Sequence, residues 1–134
     1  MKELDFSSNA IVVLKKRYLK KNSEGKIIET PSELLERVAK AISGVEKKYG
    51  ADDQSLKKCE KAFLEMMRNL EFMPNSPTLM NAGKDLGQLS ACFVVPIDDS
   101  MESIFDAIKS TALIHKTGGG TGFSFTSSSP KQRG

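Results

Sequence analysis

The sequence predicts an α/β protein in two parts, a helical N-terminal region over residues 1–72 and then the first strand, helix and strand of a parallel sheet over 73–134. Two amphipathic stretches with complete start and stop signals carry the first half of that expectation. The second half rests on an apolar run, a serine-capped helix and a glycine turn into an alternating run, in that order. Strand, helix, turn and strand in succession make a right-handed βαβ crossover by default.

Residues 10–19 hold Ile11, Val12, Val13, Leu14 and Leu19 and read as a short helix or an extended segment. Asn22-Ser23-Glu24-Gly25 is a turn, and residues 26–29 read as a short strand returning from it, giving a small hairpin. Thr30-Pro31-Ser32-Glu33 opens the first long helix: Thr30 caps it, Pro31 suits the first position, and Glu33 completes a capping box. That helix is expected to end at Gly50 and to bury Leu34, Leu35, Val38, Ala39, Ile42 and Val45. A second helix is expected from about Asp52 to Leu70, with Leu56, Cys59, Phe63, Met66, Met67 and Leu70 on its buried face.

Pro74-Asn75-Ser76-Pro77-Thr78 reads as an irregular loop, because two prolines so close together oppose regular helix. Residues 89–96, with Phe93, Val94 and Val95, read as a strand covered on both faces. Ser100 is expected to cap a helix to about Lys116 that buries Ile104, Phe105, Ile108, Ala112 and, at the margin, Leu113. Gly118-Gly119-Gly120 ends it, and residues 121–126 read as the second strand. Two parallel strands do not make a stable sheet, so further strands are expected from another part or another polypeptide.

Composition narrows the function classes. With 39% hydrophobic and 28% charged residues the chain reads as ordinary globular protein. A formal charge of +3 is too small to argue for nucleic acid, and the basic group Lys15, Lys16, Arg17, Lys20 and Lys21 has no aromatic interleaving. No apolar run approaches the roughly 18 residues of a membrane span, and Met1-Lys2-Glu3-Leu4-Asp5 lacks the pattern of a secretory signal, so a cytoplasmic location is expected. The two cysteines, Cys59 and Cys92, have neither zinc spacing nor a Cys-x-x-Cys partner, and no metal site is expected. Cys59 lies in a helix stripe, where a thiol is a small inert hydrophobe. Cys92 lies on a strand, where burial alone would make it structural. A lone His115 at a helix end reads as a dipole partner. Gly118-Gly119-Gly120 is no P-loop, since no Gly-Lys-Ser/Thr follows.

Four segments change the balance when taken together. They are Pro74-Asn75-Ser76-Pro77-Thr78-Leu79-Met80-Asn81-Ala82-Gly83, Leu89-Ser90-Ala91-Cys92-Phe93-Val94, Asp98-Asp99-Ser100-Met101-Glu102-Ser103-Ile104 and Lys116-Thr117-Gly118-Gly119-Gly120-Thr121-Gly122. In this order and spacing the chain resembles the large subunit of ribonucleotide reductase, in detail the adenosylcobalamin-dependent branch. Arg17-Tyr18-Leu19 and Glu29-Thr30-Pro31 extend the resemblance over nearly the whole chain.

The resemblance implies a ten-stranded α/β barrel preceded by a helical region, of which this chain supplies the helical region and the first barrel elements. It implies a reductase that makes deoxyribonucleotides from ribonucleotides by radical chemistry, with oxidation of a cysteine pair. Cys92 matches one of that pair, and loss of the ribose 2′-hydroxyl as water calls for a proton donor and a two-electron reductant. Ser76, Ala91, Cys92 and Gly120 match substrate contacts; by itself Ser76 reads equally as a turn-forming hydroxyl. Asp99, Ser100 and Met101 match the segment that holds a deoxynucleotide effector, Asp99 bonding its ribose, and read equally as a helix start. Adenosylcobalamin is the implied cofactor. A ribonucleotide substrate, a deoxynucleotide effector, a thioredoxin-like reductant and the remaining part of the reductase are the implied partners, and a homodimer is allowed.

Two departures stand beside the match. Thr126-Ser127-Ser128-Ser129-Pro130 stands where the family usually has arginines that bind effector phosphates. The radical cysteine, the second redox cysteine and the cobalamin contacts lie beyond residue 134 in such enzymes, so the polypeptide alone is expected not to turn over. The alternative expectation is a non-catalytic helical interaction module, or a truncated remnant of such an enzyme.

Overall fold

The computed structural model describes residues 6–85 and 87–125. Backbone contacts divide the chain into two compact units, one reaching to Leu89 and one beginning at Ser90. The expected readings of Met1 to Asp5, of Thr126 at the end of a strand, and of Ser127 to Pro130 fall outside the described residues.

The N-terminal unit opens with α1 (Ser8–Val13), capped by the Ser7 side chain, which accepts a bond from the Ala10 N–H at 3.2 Å. α1 runs straight into a π-helical turn, Leu14–Tyr18, closed by the Leu19 N–H donating to the Leu14 carbonyl at 3.0 Å. Leu19 then leaves in extended conformation and is buried. The turn forms at Asn22–Gly25, where the Asn22 Oδ1 accepts from the Glu24 and Lys26 N–H groups. The expected hairpin is reduced to one antiparallel bridge, Lys21 with Ile27. Its return arm is diverted because Glu29 turns inward to α2.

α2 (Pro31–Ser43) starts with the full capping box, Thr30 accepting from the Glu33 N–H and Glu33 from the Thr30 N–H. Leu34, Leu35, Val38 and Ala39 are all but sealed from solvent, and they form the centre of the core with Leu19, Met67, Leu79 and Ala82. From Gly44 to Tyr49 the chain tightens to a 3-10 helix before Gly50 ends it at φ 87°. With three residues per turn the apolar stripe drifts off the core, so Val45, expected inside, is exposed.

α3 (Asp53–Arg68) is capped by Asp52, whose carboxylate accepts from the Ser55 N–H at 2.7 Å. It buries Met67 and half-buries Leu56, Cys59, Phe63 and Met66 against α2. Arg68 clamps the pair by donating to Glu36 at 2.7 Å and to Ser32 at 2.9 Å. Leu70, expected on the buried face, is exposed because the helix has already ended and the chain reverses there with φ 58°.

The prolines of residues 74–78 do not produce an irregular loop. α4 (Ser76–Asn81) forms, with Asn75 as its cap and Pro77 in its first turn, where no N–H is required. The return segment is held by Asn75 and Asn81, whose side-chain amides donate to the carbonyls of Leu89 (3.2 Å) and Gln88 (2.8 Å).

One buried ion pair locks α4 onto α2. The Arg37 Nε lies 2.6 Å from Glu29 Oε1, with side-chain exposures of 13% and 6%. Glu29 Oε2 also accepts from Arg37 Nη2 at 3.1 Å and from the Lys20 N–H at 2.9 Å. The far side of the guanidinium donates to the carbonyls of Ala82 and Leu79 at the end of α4. Burial by itself raises the Glu29 carboxyl pKa, but the bonds from Arg37 and Lys20 and the positive charges of Arg37 and Lys84 outweigh it and hold the value below normal.

The second unit is a strand, a helix and a strand. β1 (Cys92–Pro96) and β2 (Gly120–Ser124) pair in parallel, with Cys92 opposite Gly120 and Pro96 opposite Ser124. α5 (Met101–Lys116) connects them, capped as expected by Ser100, which accepts from the Ser103 N–H at 3.1 Å. Burial differs from expectation. Within this unit Val95 and Ala107 are the buried apolar residues, while Val94, Phe105, Ile108 and Leu113 are more than half exposed and Ile104 and Ala112 are also exposed. One helix on a two-stranded ladder covers only one side of each element.

Three outcomes are expected. Arg37→Ala leaves Glu29 buried and unpaired, so urea unfolding should show a loss of about 3–5 kcal/mol. Because the folded Glu29 pKa lies below its usual 4.5, its contribution is present above that value and is lost as pH falls toward the lowered one. Glu29→Gln should therefore flatten the acid side of the stability profile. In a verified monomer, amides of β1 should exchange faster than those of α2, as a two-stranded ladder lacks the neighbours that protect it; strong protection across 92–96 would contradict this.

Candidate functional site

The site begins at the edge where β1 and β2 start. Cys92 is the first residue of β1, a free and exposed thiol. Its cross-strand partner is Gly120, the first residue of β2, whose N–H donates to the Ala91 carbonyl at 2.7 Å. Ala91, Cys92 and Gly120 are therefore held together by one ladder.

Different reasons place the glycines here. Gly118 ends α5 at φ 83°, a conformation that suits glycine. A Cβ on Gly119 would lie 2.8 Å from Ile114 Cγ2 and 3.1 Å from Phe93 Cε2, so packing requires its absence. A Cβ on Gly120 would meet only the Ala91 carbonyl, at an ordinary 3.6 Å. Among the described residues neither conformation nor packing demands glycine at 120, which leaves bare backbone beside the thiol.

The second cluster lies at the opposite end of β1. At about 3.3 Å per residue the strand separates it from Cys92 by roughly 13 Å. There the Asp98 N–H donates to Ser103 Oγ and the Asp98 carbonyl accepts from the Ser100 N–H, both at 2.8 Å. Ser100 completes the cap of α5 alone, so the exposed carboxylate of Asp99 is surplus to helix initiation. Met101 is exposed beside it. An open concavity of about 460 Å³ nearby is lined by Asp98, Glu102 and Asp106, by Ser100, Ser103 and Ser110, and by the apolar Val95, Pro96 and Ala107. Such a lining accepts hydrogen bonds from sugar hydroxyls and opposes phosphate.

Ser76 belongs to the N-terminal unit. It is exposed on the first residue of α4, and its hydroxyl lies 2.8 Å from the Tyr18 hydroxyl. The contact with Tyr18 is not visible in the sequence, since the two residues are 58 apart; Tyr18 ends the π-helical turn. Cys59 is half-buried on α3, as its helix stripe implied. His115 sits in the last turn of α5, where its Nε2 is 3.0 Å from Thr121 Oγ1. Among the described residues no three His, Cys, Asp or Glu side chains converge as a metal site, and no helix is long and apolar enough to cross a membrane.

Comparison with known proteins agrees with this division. Residues 4–87 match the family described as ribonucleotide reductase, all-alpha domain, and residues 90–133 the one described as ribonucleotide reductase, barrel domain. A vitamin B12-dependent ribonucleoside-diphosphate reductase of Thermoplasma acidophilum is 40% identical over 96% of this chain and 24% of its own length. One of Mycobacterium tuberculosis with the same name is 44% identical over 92% of this chain and 18% of its own. The ribonucleoside-diphosphate reductase subunit alpha of Helicobacter pylori is 35% identical over 92% of this chain and 15% of its own. The chain thus spans a quarter or less of the length of these relatives. Across both of its units, the chain belongs to the ribonucleotide reductase large-subunit family.

Proposed function

We propose that this chain forms the N-terminal part of a ribonucleotide reductase that converts ribonucleotides to deoxyribonucleotides for DNA synthesis. The observation that carries the reading is the exposed Cys92 thiol at the open end of β1, opposite the bare backbone of Gly120. In this reading Cys92 and a second cysteine outside the chain are the reductant. The ribose C2′–O bond breaks and the hydroxyl leaves as water with the proton of one thiol, the hydrogen of the other thiol goes into the new C2′–H bond, and the two sulfurs supply the two electrons to the sugar as they join in a disulfide. A dithiol reductant of the thioredoxin type restores them. Ala91 and Gly120 provide backbone against which the nucleotide lies, and Ser76 supplies a hydroxyl to it. Turnover requires the remaining part of the large subunit.

Adenosylcobalamin is the cofactor proposed for the completed enzyme, on the names of the relatives at 40–44% identity. Its contacts are assigned to the remaining part of the subunit. Asp99, Ser100 and Met101 are proposed as the ribose end of a deoxynucleotide effector site, in a homodimer that the family allows.

In the reductase completed with the rest of the large subunit, Cys92→Ser should abolish turnover with a dithiol reductant, whereas Cys59→Ala should mainly lower stability. Equal loss from both, with folding intact, would remove Cys92 from this role and favour an interaction module. Asp99→Ala should weaken effector binding by about 1.5–3 kcal/mol, the range for a hydrogen bond to a charged group. Titration of deoxynucleotides against both forms checks it, and unchanged affinity would reduce Asp99 to a helix-start residue.

A further inference from the structure

We propose that Tyr18 is a positioning residue for the ribonucleotide, acting through Ser76; this rests on the reading of Ser76 as a substrate contact. The two hydroxyls lie 2.8 Å apart. A serine hydroxyl has one proton and two acceptor lone pairs, whereas a phenol is the stronger acid of the two. With Tyr18 donating to Ser76 Oγ, the serine proton is turned away from the protein and is free for an acceptor oxygen of the nucleotide. Without that bond the hydroxyl of an exposed serine rotates among its staggered positions and presents its proton only part of the time.

The surroundings of each partner fit this role. Ser76 is the first residue of α4, between the cap Asn75 and Pro77, so its backbone is fixed on both sides. The Tyr18 ring is half-buried and packs against the core cluster that contains Leu34, Leu35 and Leu79, which anchors the phenol. Tyr18 is also the last residue of the π-helical turn that follows α1. Such turns are rare and recur at functional positions. The wider turn gives Tyr18 a different direction from the one an α-helical continuation would give it, and that direction brings it to Ser76. Tyr18 has no expected contact with the reacting atoms.

The test is a double-mutant cycle in the reductase completed with the remaining part of the large subunit, reading KM and kcat for the ribonucleotide together with the thermal midpoint. Tyr18→Phe keeps the ring and its packing and removes only the hydroxyl. It should raise KM on the order of three- to tenfold, the span of one neutral hydrogen bond, with a smaller effect on kcat. Ser76→Ala should raise KM at least as much, and the double variant should be no worse than Ser76→Ala alone. Should Ser76→Ala raise KM while Tyr18→Phe leaves it unchanged, or should the two effects multiply in the double variant, the role of Tyr18 is overturned while Ser76 stands. Should Ser76→Ala leave KM unchanged, the reading of Ser76 itself fails. A fall in thermal midpoint for Tyr18→Phe with KM unmoved would make Tyr18 structural only.

Discussion

The N-terminal unit depends on the buried pair of Glu29 and Arg37. Arg37 projects from the middle of α2, and its guanidinium has five donors in a fixed plane. Two face the Glu29 carboxylate, and others reach the carbonyls of Leu79 and Ala82. The carboxylate is completed by the Lys20 N–H, so one side chain on α2 binds the chain before the helix and the end of α4 after it. Two desolvated charges repay their burial only when the geometry is good and the remaining donors and acceptors are engaged, and here every guanidinium nitrogen and both carboxylate oxygens have a partner. Gly83 passes so close that a Cβ would stand 3.0 Å from Arg37 Cγ. The position of α4, and with it Ser76, follows from this arrangement.

The second unit is built on a different balance. Capping, strand pairing and a glycine stop are all satisfied locally, yet only Val95 and Ala107 among its described apolar residues are buried. Backbone hydrogen bonding therefore defines its geometry more than apolar burial does. That geometry sets a thiol at one end of β1, a capped helix start with a surplus carboxylate at the other, and five residues of strand to keep them apart.

The two ends of β1 differ in character as well. Around Cys92 the neighbours are backbone and glycine, which allow close approach without adding charge. At the far end the concavity beside Asp98 and Ser100 carries carboxylates and serines together with Val95, Pro96 and Ala107, a lining whose charge disfavours phosphate. One short strand thus presents two surfaces of different chemical character.

What the sequence determined by itself was whatever short-range chemistry dictates. The capping box at Thr30 and Glu33, the stop at Gly50, the cap at Ser100 and the glycine end of α5 all involve groups within a few residues of one another, and all form where they were expected. The four ordered motifs, including the one that carries Cys92, were legible for the same reason, since order and spacing are properties of the chain. The tertiary structure alone decided which apolar residues are covered, as Val45, Leu70 and the outer face of α5 show, because burial depends on a partner surface that periodicity does not reveal. It also decided that Pro77 begins a helix, that Glu29 abandons a hairpin to meet Arg37, and that Tyr18 meets Ser76. Tyr18 and Ser76 are 58 residues apart, and only the folded core brings them within reach of a hydrogen bond.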